Sequence, residues 1–238
     1  MMSKNPLKLK IAYLYPDFLH SFCDKANLDV IKFRAQERNI KIEIEEIKND
    51  DKINSSSYDF YYMSGSNIEA LEVCNLHLKN NYSQLKTAAE ALVPMLAINC
   101  GYILFGKNFQ LANSPLYDGL GILDIETNIH GIAKLSKIKA SCNLINDTIA
   151  GYIQCYSDTK LNESAKPFLT SDKEDTEGAI YKNVIGTYIT SPILAHNPLL
   201  CDYIIEKCLQ TKYNCTIPLA KLTDDIEWYS HNYLLEGK

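Results

Sequence analysis

The sequence lacks any apolar run that approaches the ~20 residues needed for a membrane-spanning helix. None of its eight cysteines belongs to a Cys-x-x-Cys pair, the usual half of a structural zinc site. The chain has fewer positive than negative side chains: 24 lysine and arginine residues against 29 aspartate and glutamate residues, which gives a net charge of −5. We therefore expect no membrane partner, no nucleic-acid partner, no metal and no cofactor.

Apolar residues make up 46% of the 238 positions and charged residues 22%, a balance typical of a globular domain with a sizeable core. The chain begins Met-Met-Ser-Lys-Asn-Pro with no long apolar segment behind it, so a secretory signal is not expected. The cytoplasm is therefore the predicted location.

Apolar periodicity divides the first hundred residues into strands and helices. Strands are predicted at Lys8–Leu14, Ile40–Ile47 and Tyr58–Met63, and helices at Asn27–Asn39 and Ile68–Leu92. Strands that feed helices through short polar turns are typical of a mostly parallel sheet with helices on both faces. The predicted fold class is therefore α/β, with a mostly parallel central sheet and helices on both faces.

Short β-like runs follow in the second half of the chain, at Ile132–Lys139, Ile149–Gln154 and Val184–Thr190. They predict an antiparallel extension of the sheet. Residues 1–210 are expected to form the domain. Residues 211–238 are expected to form a C-terminal tail that contains the single tryptophan, Trp228, and a short docking helix.

The segment Pro94–Gly106 has the pattern of a buried strand that turns sharply into a helix, with Asn99, Cys100 and Gly101 at the turn. At such a junction the turn residue is exposed at the end of the strand, beside the free N–H groups of a helix N-terminus. The polar turn Ser64-Gly65-Ser66 follows the preceding strand. Because ligands of parallel sheets bind at the carboxyl ends of strands, these two turns predict one ligand-binding edge.

Several longer segments are distinctive in their order along the chain: Leu14–Leu19, Asp24–Asn27, Arg34–Ile40, Gly119–Asp124 with Thr127, Glu177–Gly178, Tyr181–Tyr188, Pro192–Leu194 and Asn197–Pro198. Over about the first 210 residues they resemble the class I glutamine amidotransferases of the cobyric acid synthase type, whose fold is flavodoxin-like. Within that family the chain resembles most the amidotransferase subunits of lipid II isoglutaminyl synthase, which work with a Mur-ligase-like partner in cell-wall synthesis.

This resemblance implies the family's fold and its reaction. In the family, a cysteine on the turn attacks glutamine, a histidine near the C-terminus activates it, and backbone N–H groups of a glycine-rich turn stabilise the oxyanion. The ammonia then passes to the partner ligase. Amide hydrolysis needs each of these parts, because the carbonyl requires a strong nucleophile and its tetrahedral intermediate requires fixed donors.

The site residues of the family are replaced in this chain. A gap-free alignment places Asn99 at the nucleophile, Cys100 at the following glycine and Ile103 at the family's glutamine. Thr190 stands at the position of the histidine. The nearest histidine in sequence, His196, is expected on a surface turn.

Two further site segments differ as well. The family's glycine-rich turn corresponds to Ser64-Gly65-Ser66, and a Phe-Glu-Asn-His segment corresponds to Tyr152–Cys155, with Gln154 as a candidate ligand contact. No arginine follows Arg38, so the family's substrate-contacting arginine has no counterpart.

Asparagine suits the turn for a backbone reason. The turn residue commonly needs a positive φ, and asparagine tolerates positive φ better than most residues other than glycine. A second alignment inserts Asn99 and deletes one glycine, which makes Cys100 the nucleophile but leaves Thr190 in place of the histidine. The gap-free alignment is preferred, since a shift of one residue redirects the side chain.

The favoured hypothesis is therefore a degenerate amidotransferase-like subunit without glutaminase activity and without catalytic residues. It would act through a Mur-ligase-like partner in cell-wall precursor amidation or its regulation. One alternative is an active glutamine-hydrolysing subunit that uses Cys100. The other is a sensor that binds glutamine or another small molecule in the vacated pocket, at Ser64–Ser66 and Asn99–Gly101.

Overall fold

The computed structural model describes residues 6–20, 25–172, 175–190 and 192–236, with the backbone alone at 132–134. Cys23 lies outside these residues. The elements of the first half are β1 (Leu7–Leu14), α1 (Ala26–Gln36), β2 (Ile40–Ile47), β3 (Phe60–Met63), α2 (Ala70–Leu78), a 3₁₀ turn (Lys79–Asn81), α3 (Tyr82–Glu90), β4 (Met95–Ile98) and α4 (Cys100–Phe105).

The second half contains most of the antiparallel strands and the closing helices. Its elements are β5 (Asn108–Leu111), β6 (Leu116–Asp118), β7 (Ile125–Cys142), β8 (Asp147–Leu161), β9 (Lys166–Thr170), β10 (Thr176–Tyr181), β11 (Val184–Thr187), β12 (Ile189–Thr190), α5 (Ile193–His196), α6 (Pro198–Tyr213) and α7 (Asp225–Glu236).

Parallel strands form the centre of the sheet, in the order β2-β1-β3-β4-β11. β3 and β4 are buried along their whole length, which fits their continuous apolar sequences. β2 lies at the edge and is more exposed: Ile40, Ile42 and Ile47 are buried, whereas residue 41 and residues 44–46 are exposed. The parallel α/β core predicted from the sequence is therefore confirmed.

Helices cover both faces of this sheet. On one face, α2, α3 and α4 pack against alternate strand residues such as Tyr61 and Met63. On the other face, α1, α5 and α6 pack against the intervening residues Phe60 and Tyr62. The two-residue period of the strands thus divides the apolar side chains between two core layers.

Strands β7 and β8 form a long antiparallel hairpin, and β9 and β10 connect it to β11. The predicted antiparallel extension is confirmed for the runs at Ile132–Lys139 and Ile149–Gln154. For Val184–Thr190 it is confirmed as well, because β11 is antiparallel to β10 and β12 is antiparallel to β8, but β11 also pairs in parallel with β4 on its other side, which the sequence did not predict. A short apolar run does not encode its partner, so local sequence could not distinguish the two pairings.

The tail is fixed to the domain by the only two arginines of the chain. The buried guanidinium of Arg34 makes bidentate pairs with Asp202 of α6, at 2.7 and 2.8 Å, and with Asp224 before α7, at 2.8 and 2.9 Å. Arg38 donates to Asp202 at 3.0 and 2.7 Å and to the Ala220 carbonyl at 2.7 Å. We call these residues the arginine clamp. The division of the chain at residue 210 stays a prediction.

Across the described residues, no helix combines the length and the apolar character needed to cross a membrane.

The arginine clamp predicts a large effect of Arg34 on stability. Arg34→Ala removes both bidentate pairs of a buried guanidinium and leaves the half-buried Asp224 without this partner, so the free energy of unfolding should fall by about 3 kcal/mol. Urea unfolding followed by Trp228 fluorescence measures this value. Lys32→Ala, at an exposed position of the same helix, should change it by less than about 0.5 kcal/mol. Equal effects of the two substitutions would contradict the assigned role of the clamp.

Candidate functional site

The site lies at the carboxyl ends of β3 and β4, which are adjacent parallel strands. Ser64 follows the last residue of β3, and Asn99 follows the last residue of β4. The strand pairing brings the two turns of the sequence analysis, Ser64–Ser66 and Asn99–Gly101, to the same edge of the sheet.

Asn99 makes the bend between β4 and α4. Its φ of 51° and ψ of −111° fall outside the left-handed helical region, in a conformation that costs of order 1–3 kcal/mol for a residue with a side chain. Its N–H donates to the Thr187 carbonyl of β11 at 2.8 Å, and its carbonyl accepts from the Ile103 N–H at 3.1 Å. The predicted positive φ at this residue is confirmed.

The Asn99 side chain is buried and reaches β8, a strand that does not pair with β4. Its Nδ2 donates to the Gln154 carbonyl at 2.9 Å. A carboxamide is neutral and is not among the side chains that act as nucleophiles in acyl transfer. At the bend it therefore holds two strands together and supplies no attacking group.

Cys100 is the first residue of α4, and its side chain takes a different direction. The buried thiol donates to the Ser66 carbonyl at 3.0 Å, in the segment after β3. This hydrogen bond engages the thiol proton, which would have to be removed before the sulfur could act as a nucleophile.

Gly101 is explained by close packing. A Cβ at this position would lie 2.7 Å from the Met63 carbonyl oxygen at the end of β3. Only glycine allows α4 to approach β3 this closely.

Ser64 is enclosed beneath the loop that follows β1. Its hydroxyl donates to the Leu19 carbonyl and lies 3.2 Å from the Tyr13 hydroxyl. Gly65 is also buried, whereas Ser66 is half-buried and receives the Cys100 thiol on its carbonyl. Among the candidate ligand residues of this turn, Ser66 is the most accessible.

Thr190 lies in β12, opposite Tyr152 of β8, and is half-buried. Gln154 also lies in β8, and its carbonyl accepts a hydrogen bond from the Asn99 side chain. The N–H of Gln154 lies 3.4 Å from the carbonyl of Tyr188, just before β12. Strand β8 therefore connects the bend to the short strand that carries Thr190. The half-buried Gln154 side chain lies on this connecting strand.

His196 is not on a surface turn, so that expectation is wrong. It lies in α5 and is half-buried against α7, where its Nδ1 is 2.8 Å from the Ser230 hydroxyl. Burial and the nearby His231 lower its pKa. The sequence could not predict this environment, because it is created by the distant tail helix.

Glu177 is a site residue that the sequence did not single out, because it stood there only within the segment Glu177–Gly178. Its buried carboxylate accepts from the Thr187 hydroxyl at 3.0 and 2.9 Å and from the Tyr188 N–H at 2.6 Å. Burial raises its pKa from an ordinary 4.5 to about 7, although the hydrogen bonds from Tyr188 and Thr187 act in the opposite direction. Because the Thr187 carbonyl receives the Asn99 N–H, Glu177 supports the bend from behind β11.

No group of three or more histidine, cysteine, aspartate or glutamate side chains arranged to hold a metal is found in the described ranges.

Residues 10–198 match the family model of the CobB/CobQ-like glutamine amidotransferase domain. The chain is 28% identical to the GatD subunit of lipid II isoglutaminyl synthase (glutamine-hydrolyzing) from Staphylococcus aureus strain N315, with 86% of each chain covered. It is 24% identical to the subunit of the same name from Streptococcus pneumoniae R6, with 92% of this chain and 87% of the relative covered.

Solved structures show the same fold at low identity. A crystal structure of a glutamine amidotransferase has a TM-score of 0.57 and 11% identity, with 83% of this chain and 98% of that chain covered. A glutamine amidotransferase from Thermotoga maritima has a TM-score of 0.53 and 13% identity, with 97% and 94% covered. These matches confirm the predicted fold, and the family match confirms the predicted resemblance.

The strained bend predicts an unusual order of stability at position 99. Both Asn99→Gly and Asn99→Ala lose the bond to Gln154, but only glycine adopts this φ without strain. The free energy of unfolding of Asn99→Ala, measured with urea, should therefore be about 1–2 kcal/mol lower than that of Asn99→Gly. At Ser83, exposed in α3, the order should reverse, because glycine is the poorer helix former. An alanine variant as stable as the glycine variant at 99 would argue against a strained bend.

The raised pKa of Glu177 predicts a pH dependence of stability. The folded state binds this proton more tightly than the unfolded state, so the contribution of Glu177 to the free energy of unfolding should fall as pH rises from about 4.5 to about 7 and then level off. Between pH 4.5 and pH 8, the free energy of unfolding of the wild type should fall by about 3 kcal/mol more than that of Glu177→Gln. Urea titrations at several pH values measure the difference. Glu163→Gln, at an exposed site, should follow the wild-type profile.

Proposed function

This chain belongs to the CobB/CobQ-like glutamine amidotransferase family, and from that premise we propose that it is a subunit that keeps the family scaffold without hydrolysing glutamine. It acts through a Mur-ligase-like partner in the amidation of cell-wall precursors, by stabilising or regulating that partner. The single observation that carries the proposal is the carboxamide of Asn99 at the bend after β4.

The chemistry of the bend supports the loss of hydrolysis. Covalent hydrolysis of glutamine requires a nucleophile that attacks the amide carbon and displaces ammonia, carries the acyl group, and is released when water attacks that intermediate to give glutamate. The Asn99 carboxamide does none of this, and its N–H₂ group is occupied by the Gln154 carbonyl. The side chain supports the strand arrangement and has no role in bond cleavage.

The thiol beside the bend is a poor substitute. Cys100 lies in the first turn of α4, and its proton is bonded to the Ser66 carbonyl. To act as the nucleophile, it would have to leave this buried contact and take the place of Asn99 at the bend. The shift would also move Gly101, which packs directly against Met63.

The position of the base supports the same conclusion. Thr190 carries a hydroxyl that does not accept a proton near neutral pH, so it cannot generate a thiolate. His196, the nearest imidazole in sequence, is directed to Ser230 of α7. The nucleophile and the base are thus replaced together.

The cell-wall role rests on the two curated relatives, both of which are named as subunits of lipid II isoglutaminyl synthase. The word subunit indicates that those proteins work within an assembly. A chain that keeps the family domain over 10–198 can still act within such an assembly, even where the reaction is lost.

A second candidate function is glutamine hydrolysis by Cys100. It is favoured by the names of the same relatives, which describe them as glutamine-hydrolyzing. The two functions differ in a measurable product, because only the second releases ammonia and glutamate from glutamine.

We expect the purified chain, alone or mixed with the Mur-ligase-like protein of the same organism, to release no ammonia from glutamine above background. A glutamine-hydrolysing relative with its partner serves as the positive control. The rate should be lower by on the order of 10⁴-fold or more, as expected when a nucleophile is missing. Cys100→Ala should leave this background unchanged.

Ammonia release that disappears in Cys100→Ala would establish the second function and contradict the proposal. A rise in melting temperature with glutamine, without ammonia release, would instead indicate a small-molecule sensor at the Ser66 and Asn99 edge.

A further inference from the structure

The outward face of α7 carries an apolar stripe that the core of the domain does not use. Ile226, Tyr229 and Tyr233 are 80%, 73% and 48% exposed. Their spacing of three and four residues places them on one face of the helix. We call these three residues the α7 stripe. Single exposed apolar residues are common on protein surfaces, but an aligned row on one helix face marks an interaction site.

The stripe sits on a helix that is held in place from its other side. Asp224, just before α7, is bound by Arg34, and the buried His231 has its Nδ1 2.7 Å from the His196 carbonyl. Trp228 packs edge-on against His231, with ring centroids 5.3 Å apart. The inner face of α7 is therefore fixed, and the stripe is presented on a preorganised helix.

A groove extends this surface onto α1. Its volume is about 460 Å³, and its walls include Val30 and Phe33 of α1 and Ile226 of α7. Phe33 is 54% exposed. The groove and the stripe together form one apolar surface, rich in aromatic side chains, which are enriched where proteins bind one another.

Apart from Arg34, the carboxylates Asp29 and Glu227 are the charged side chains that line the groove in the described part of the chain. Asp225 is exposed at the start of α7. The only cationic side chain of the groove wall, among the described residues, is Arg34, which is matched by Asp202 and Asp224.

This charge pattern restricts the occupant. A second copy of the chain would bring acidic residues against the same acidic residues, which opposes association. A helix with an apolar stripe flanked by lysine or arginine would satisfy both the apolar surface and its rim.

We propose that the α7 stripe and the α1 groove dock an amphipathic, basic-flanked helix of the Mur-ligase-like partner. This inference rests on the proposed function, since it names the surface through which that partner is held. The helix that carries the stripe packs against α5 and β8; β8 contains Gln154, and α5 follows the strand that carries Thr190. The partner would thus be held on a helix that packs against elements connected to the candidate site.

The test measures binding of the full-length chain to the ligase-like protein of the same organism by isothermal titration calorimetry. The double variant Ile226→Asp/Tyr229→Asp should raise the Kd by at least about 30-fold, because it places two charges in a desolvated apolar contact. The matched control is Leu76→Asp, which is 65% exposed on α2 at the opposite face of the sheet, and its Kd should stay within about twofold of the wild type.

A second pair of variants tests the acidic rim without touching the stripe. Asp29→Lys/Glu227→Lys should weaken binding by about tenfold or more and should reduce its dependence on salt concentration. The melting temperature and Trp228 fluorescence of each variant show whether the fold is retained.

The outcomes separate this inference from the proposed function. If the wild type binds the ligase-like protein and both sets of variants bind equally well, the partner docks elsewhere and the inference is wrong while the function stands. If the wild type does not bind it at all, the proposed function fails as well. If sedimentation shows self-association that the double variant removes, the occupant is a second copy and the inference is wrong.

Discussion

The reversal of the chain at Asn99 is held from three directions, and the arrangement of the site follows from it. β11 accepts the Asn99 N–H through Thr187, and β8 accepts its side chain through Gln154. From the third side, α4 packs on the end of β3 through Gly101. Because all three contacts fix one residue at a φ of 51°, the conformation persists despite its local cost.

These contacts separate the requirements of the fold from those of the reaction. The bend requires a residue that tolerates positive φ, and asparagine meets that requirement. Cleavage of an amide requires a thiolate at this same position and a base at the position of Thr190. The bend itself needs neither group. A scaffold of this kind can therefore keep its shape after its chemistry is gone, since no strand or helix depends on the sulfur atom.

Local sequence was sufficient for the parallel core, because the apolar runs of β3 and β4 report burial directly. It was also sufficient to anticipate the backbone of Asn99, since that depends on one residue type. Local sequence did not predict features that depend on contacts between segments far apart in the chain. The parallel partner of β11, the burial of Glu177 and the environment of His196 all arise from segments remote in sequence.

The arginine clamp has a consequence for recognition elsewhere on the molecule. Both guanidinium groups of the chain are turned inward onto Asp202, Asp224 and the Ala220 carbonyl. Any anion that meets the outer surface is therefore met by lysine ammonium groups, which act as mobile point charges without the planar fork that matches a carboxylate or phosphate. Selectivity among anionic molecules at that surface must come from shape and neutral donors, and charge alone will distinguish them poorly.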